Sequence, residues 1–552
     1  MKAPESDPIV LSTQLVSSLL EEIPLVQNFK GKWVLIRAKL DDLRSQLGDF
    51  ADFSGSVSNS LSVDLLGSVS AALSDAVSLA RRCQSPNLAE GKLRTQSDID
   101  AVLAKLDRVV KDGEILIRSG VLQEGGGGST GVSSSSRREA VRSESRNLIT
   151  RLQIGSGESR NSAMDSLLEL LQEDDKNVMI AVAQGVVPVL VRLMDSSSAE
   201  MKEKTVAAIS RVSVVDSSKH VLIAEGLLLL NHLLRVLDSG SAFAREKACV
   251  ALQALSLSKE NARAIGSRGG IESLLEICQA GTPGSQASAA DVLRNLASFP
   301  EIKENFIEEN GVVVLLGLAS SGTVLAQEKA IGCLRNLVSD DESLKLSVVK
   351  EGGIECLKNF WVSAPSVRSL EVAVDLLRHL ASFHPVAEVL CSEGFIARLV
   401  GVLNCGVLGV RIAAARAVFE LGFCSRTRKE MGECGCIGPL IKMLDGKAVE
   451  EREAAAKALS NLVLYLGNRK MFKKDEKGIV SAVQLLDPSI KNLDKKYPVS
   501  LLASLSHSKR CRKHMVAAGA SAYLQKVVEM EVEGSKKLLE SLGRGKIWGV
   551  FG

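Results

Sequence analysis

The chain has 552 residues and a net charge of +3, and it is 45% hydrophobic while only 3% aromatic, so its core is built from Leu, Val, Ile and Ala. No run of about 18 apolar residues marks a membrane span, and three Trp with three Tyr leave little for base stacking, so nucleic acid is not an expected partner. The charge is uneven: from Arg469 onward 17 Lys and Arg stand against 8 Asp and Glu, a net of +9, which leaves −6 elsewhere.

That asymmetry suits an acidic partner or an anionic surface, and it leaves peripheral membrane association open. Eleven cysteines scattered along helical faces are those of a reducing compartment, and Met1–Glu5 lacks a basic start to a signal peptide. An intracellular protein is expected, cytoplasmic and also nuclear.

Residues 1–122 read as a bundle of four amphipathic helices. The apolar stripes are Leu11, Leu15, Leu19 and Leu20; then Trp33, Ile36, Leu40, Leu43 and Leu47; then Leu61 through Leu79; then Ile99, Leu103, Leu106, Val110 and Ile117. Residues 123–146 hold Gly125–Gly128 and Ser133–Ser136, a composition that predicts a disordered linker. Dinucleotide-loop and nucleophile-elbow patterns match inside it, but neither follows a strand. The serines beside Arg137, Arg138 and Arg142 are candidates for phosphorylation.

Residues 147–543 carry a period of about forty. Gly185, Gly226, Gly270, Gly311, Gly353, Gly394, Gly435, Gly478 and Gly519 are separated by 41, 44, 41, 42, 41, 41, 43 and 41 residues, and each precedes a new apolar helical pattern. Such steadiness is the mark of stacked helical units, none able to bury its apolar face alone. Each glycine is expected at positive φ, ending a short first helix. A second and a third helix follow, and residues 544–552 form a tail. The fold class is all-α: a solenoid of about eight to nine three-helix repeats behind a small helical bundle.

The repeat unit resembles the armadillo repeat, most closely at Asp291–Leu296, Gly332–Leu337 and Lys457–Leu462, where the third helix ends in Leu-x-Asn-Leu. The stretch Gly31–Leu40 is similar to the helical region preceding the U-box in plant U-box/armadillo proteins. The resemblance implies a right-handed solenoid, a plant source and a protein-binding scaffold or adaptor, with a ubiquitin-ligase or receptor-kinase pathway as the alternative. No U-box stands between the two regions, so ligase activity of its own is not expected. No phosphate loop, metalloprotease motif or nucleophile elbow stands in a strand-to-helix context, so no catalytic residue and no cofactor is assigned.

In armadillo proteins the third helices line a groove whose Asn bonds the backbone of an extended ligand. Carried over, that implies Asn295, Asn336, His379 and Asn461 as partner-binding residues, preceded in three successive repeats by Arg294, Arg335 and Arg378. The expected ligand is an extended, acidic segment of another protein; the competing account pairs the arginines with Asp291 and Asp375. A groove-facing Asn336 would be replaceable by Ala at little cost to thermal stability. Positions where import receptors carry Trp hold Asp291, Gly332 and Lys457, which points away from basic import signals as cargo. Cys434-Gly435-Cys436 lacks metal-ligand spacing, and no metal is expected.

Overall fold

The structure, a computed structural model, describes residues 7–53, 59–123 and 134–543. Among the described residues every regular element is helical and there is no strand. The chain forms an all-α solenoid behind a helical bundle. It divides into two compact units, Met1–Leu255 and Ser256–Gly552.

The first unit opens with the bundle, whose helices are α1 (Pro8–Glu22), α2 (Lys30–Asp52), α3 (Ser60–Arg82) and α4 (Lys92–Ser119). In α2 the whole predicted stripe is buried, with Trp33, Ile36 and Leu40 at 1% exposure or less. In α1 the stripe is rotated from the expected one. Ile9, Ser12, Val16 and Leu19 face inward while Leu11 is exposed. Both stripes obey the spacing of three and four, and the Ser12–Ser70 hydroxyl pair at 2.9 Å satisfies the polar residue that the inner one carries. Helix α3 is, by length and composition, apolar enough to cross a membrane. Here it is one wall of the bundle, packed on α1 and α4, with Leu61, Leu66, Val69, Leu73 and Ala76 in the core and Asp64 and Asp75 facing out.

The expected linker is shorter than its composition suggests. Residues 134–146 form the start of α5 (Ser134–Ile154), while 124–133, with the two spurious motifs, and the tail 544–552 lie outside the described residues. Serines concealed a stripe at helical spacing: Val141, Leu148, Ile149 and Leu152 are all buried. Helix α5 packs on α4 and on α6 (Gly157–Glu173), and its Ile154 rests against the bundle core. The compact units therefore do not separate at the bundle boundary. The bundle, α5, α6 and the first two repeats form one unit, and seven repeats form the other.

Nine repeats follow α6. Their third helices are Ala199–Val214, Ala242–Leu255, Pro283–Leu296, Val324–Leu337, Leu370–Ala381, Leu408–Leu421, Val449–Leu462, Lys496–Leu505 and Ser535–Gly543. From repeat 3 to repeat 9, each third helix packs on the next. Ala330, Ile331, Cys333, Leu334 and Leu337 of repeat 4 are all fully buried, which only close helix approach allows. Burying one such Leu is worth about 1.5–3 kcal/mol, so the stack is held mainly by these seams.

The repeat glycines divide two tasks that the sequence had assigned to one. At the Gly352-Gly353 turn it is Gly352 that takes φ +88°, whereas Gly353 opens the second helix. A Cβ on Gly353 would meet the Val348 carbonyl oxygen at 2.6 Å, so the second glycine is there for close approach. The same shift places positive φ on Gly269 and Asn310 instead of Gly270 and Gly311, and Gly478 lies inside a helix capped by Asp475.

Candidate functional site

The third helices of repeats 3 to 8 present one continuous face of equivalent positions. The column of Asn295, Asn336, His379 and Asn461 runs along it, half-buried. Each member for which partners are seen reaches back to the preceding repeat. Asn336 Nδ2 donates to the Arg294 carbonyl at 2.8 Å and to Ser298 Oγ at 3.1 Å. Asn461 Nδ2 donates to the Phe419 carbonyl at 2.9 Å, and its Oδ1 accepts from Arg428 at 2.8 Å. Asn295 Nδ2 lies 3.0 Å from Ser256 Oγ.

In the first unit Arg211, in the same column, donates to the Leu171 carbonyl at 2.9 Å. Three of these bonds, from Asn336, Asn461 and Arg211, go to carbonyls in the last turn of the preceding helix. In this structure the column staples one repeat to the next.

The arginines one position earlier are shared among few acids. Arg294 and Lys329 converge on Asp291 at 2.7 and 3.3 Å, while Arg335 and Arg378 converge on Asp375 at 3.5 and 2.8 Å. Four cations around two carboxylates leave a local surplus of positive charge. Arg335 also donates to Asn336 Oδ1 at 2.8 Å, which fixes the amide that staples the seam. Gly332, where import receptors carry Trp, makes room for the Arg294 stem: a Cβ there would lie 3.0 Å from Arg294 Cδ.

His379 is held neutral. Burial, then the adjacent Arg378 guanidinium, lowers its pKa to about 4, against a backbone hydrogen bond with Ser339 that favours the proton. Its Nε2 lies 2.6 Å from Arg378, whose donor it accepts as a neutral ring. It serves as another seam residue.

Toward the C-terminal half the face turns aromatic. Phe419 stands where the Arg column would continue, and Phe423 and Leu464 stand where Ser298, Ser339 and Ser382 stood before. These side chains line an open cleft of about 370 Å³ with His384, Glu420 and Asn461. His384 stacks on Phe423 at 5.3 Å, and half of Leu464 is exposed. Lys457 lies 4.2 Å from the Phe419 ring centroid. Sequence reasoning named the arginines and missed this cleft, although the switch from Ser to Phe at one register position was readable.

It also missed a column of first-helix residues that cap third helices. Arg428, Arg469 and Arg512 donate to the carbonyls of Gly422, Val463 and Ser506 at 2.8, 3.0 and 2.6 Å. Buried Asn468 bonds the Leu462 carbonyl at 3.0 Å, as Asn177 does that of Leu170 at 3.1 Å. Each satisfies a carbonyl at the C-terminal end of a helix, and the three arginines also place positive charge there.

Among the described residues no group of three or more His, Cys, Asp or Glu is placed to hold a metal. Cys434 is exposed, and burial pushes the Cys436 thiol up to about 12.

With this geometry in view, the chain matches two family models: a domain of unknown function, DUF7032, over residues 11–121, and the armadillo/beta-catenin-like repeat over residues 174–214. The first spans the bundle and the second spans repeat 1. No curated protein matches the chain. Among solved structures, the crystal structure of an engineered protein, a Northeast Structural Genomics Consortium target, aligns with 73% of this chain and 98% of its own at a TM-score of 0.63. Its sequence identity is 24%, so the likeness is one of fold. The repeat match shows an armadillo-like repeat at residues 174–214, and the structural match shows a shared fold.

Proposed function

We propose that this protein is a non-catalytic scaffold or adaptor that holds an extended segment of a partner protein along the third-helix face of repeats 3 to 8. The observation that carries the reading is the juxtaposition on one face of an under-neutralised Arg294, Arg335 and Arg378 ladder with the Phe419, Phe423 and Leu464 cleft. The ladder suits acidic side chains and the cleft suits an apolar anchor beyond them. The asparagines, already bonded across seams, hold the arginines in place.

Three half-exposed ion pairs and one buried apolar side chain sum to about 3–6 kcal/mol. That corresponds to a dissociation constant no tighter than tens of micromolar. The partner therefore engages surface beyond these residues. An adaptor role beside a ubiquitin ligase or receptor kinase, in a plant cell, is the narrower form of this reading, supported by the likeness of Gly31–Leu40. Eleven free thiols support an intracellular site of action.

The test is fluorescence anisotropy with labelled peptides that carry Glu at every third position and end in Leu or Phe. Binding should weaken at least tenfold in Arg335→Glu/Arg378→Glu and several-fold in Phe419→Ala/Phe423→Ala. Equal affinity for an all-Lys peptide, or no effect of either variant, rejects the face as the site.

A further inference from the structure

The basic C-terminal end of the chain is concentrated on one edge. In repeat 8 the first helix, Leu466–Phe472, is anchored by buried Asn468 and Phe472; in repeat 9 the first helix, Lys509–Ala517, is anchored by buried Cys511 and Met515. Residues two positions from both anchors point away from the core. They are Lys470 in one helix and Lys513 in the other, with Leu466, Lys474 and Lys509 on the same outward lines.

The first helix of repeat 9 is tied to the second helix of repeat 8, Glu476–Gln484, at Glu476, which accepts Arg510 and lies 3.3 Å from His514. That link occupies Glu476, and the neighbouring Asp475 caps the helix by accepting from the Gly478 amide at 2.8 Å, so neither carboxylate is paired with the lysines beside it. Lys470, Lys473, Lys474, Lys477, Lys509 and Lys513 have no ion-pair partner among the described residues, and all but the half-buried Lys473 are exposed. Between them stand exposed apolar side chains: Leu466 at 57%, Met471 at 43% and Val516 at 37%.

We propose that this edge of repeats 8 and 9 is a docking surface for an anionic lipid bilayer. Six unneutralised ammonium groups match a surface of negative headgroups, each contributing about fivefold in affinity near such a surface. The aliphatic side chains between them enter the headgroup boundary and leave water, a gain that a phosphodiester backbone or a solvated acidic peptide does not provide. The arginines of the edge are spent elsewhere: Arg469 and Arg512 cap third helices, so the exposed charges are flexible lysines suited to a fluid surface and not to bidentate recognition. This edge is built from the two first helices, the turn at Lys473 and Lys474 and the start of the repeat 8 second helix at Lys477, and it is independent of the third-helix face.

The experiment is co-sedimentation of the full chain with vesicles of phosphatidylcholine alone and with about a third phosphatidylserine, at low and high salt. The chain should bind the anionic vesicles, release them as salt screens the lysines, and ignore the neutral ones. Lys470→Glu/Lys474→Glu/Lys513→Glu should weaken binding at least about a hundredfold, three lysines at about fivefold each. The corresponding triple Arg variant should bind as the parent does. Leu466→Ser/Met471→Ser should weaken it several-fold without changing its salt dependence, and thermal unfolding of each variant monitors folding. Absence of vesicle binding by the parent chain overturns the proposal. So does capture of single-stranded RNA or polyglutamate by these lysines without capture of vesicles.

Discussion

Asn336 donates its side-chain amide to the Arg294 carbonyl at 2.8 Å, across the seam between repeats 3 and 4. The bond makes a residue placed for ligand contact by resemblance into part of the solenoid's own cohesion. Replacing Asn336 with Ala leaves that carbonyl with only the Ser298 hydroxyl at 3.4 Å and the Arg335 guanidinium with only Asp375 at 3.5 Å. The expected loss is about 1–2 kcal/mol, visible as a lower urea midpoint with an unchanged slope. Asn461→Ala should behave alike through Phe419, and an unaltered midpoint in both would show the seam bonds to be dispensable.

A pH dependence follows from His379. Its folded pKa of about 4 lies below the ordinary 6.5, so folding favours the neutral ring. Its contribution to stability is complete above pH 6.5 and is lost as the pH falls from there toward 4. The melting temperature of the parent chain should therefore drop more between pH 7.5 and pH 5 than that of His379→Gln, and identical drops would contradict the assignment.

Gly353→Ala places a methyl group 2.6 Å from the Val348 carbonyl oxygen, and Gly352→Ala forces a side chain to φ +88°. Each should cost about 1–3 kcal/mol. Gly401, within the helix Phe395–Leu403, has open space around its missing Cβ. There Gly→Ala should stabilise by about 0.5–1 kcal/mol. Opposite signs in paired thermal melts would confirm that these glycines are not interchangeable.

The thiols should react in a set order. Burial alone would raise the pKa of Cys424, but the Thr427 amide and hydroxyl and the Arg426 amide outweigh it and hold the thiol below its usual range. Burial pushes Cys278 and Cys436 up to about 12. Iodoacetamide followed by peptide mass mapping should label Cys424 early, and Cys278 and Cys436 only on unfolding. Early labelling of Cys436 would show that its repeat opens.

The repeat architecture was legible because a forty-residue period survives variation at any one position, and stripes such as Trp33–Leu47 allow only one buried face. In α1 the sequence carries two overlapping stripes that share Leu19, and the inner one includes Ser12, whose partner Ser70 lies 58 residues away and is out of sight of any local pattern. The Arg and Asn columns were legible as positions. The pairing of the arginines with Asp291 and Asp375 was legible too, as the account competing with ligand contact, and the structure shows those pairs. The bonding of the asparagines was not, since the Arg294 carbonyl lies in the neighbouring repeat and geometry alone brings it within reach. The cleft at Phe419 required knowing that His384 and Leu464, 80 residues apart, share one mouth.

The seating of Ile154 on the bundle core bears on how the gene is divided. A fragment started at residue 147 would cut α5 through its middle, discard buried Val141 and strip cover from the wall that α4 shares with it. Expressed alone, such a piece would present raw apolar surface at its first turn and clump, and one begun near Ser134 would keep Val141 yet still bare the side of α5 that α4 and the bundle core cover, so the bundle belongs with the repeats it adjoins.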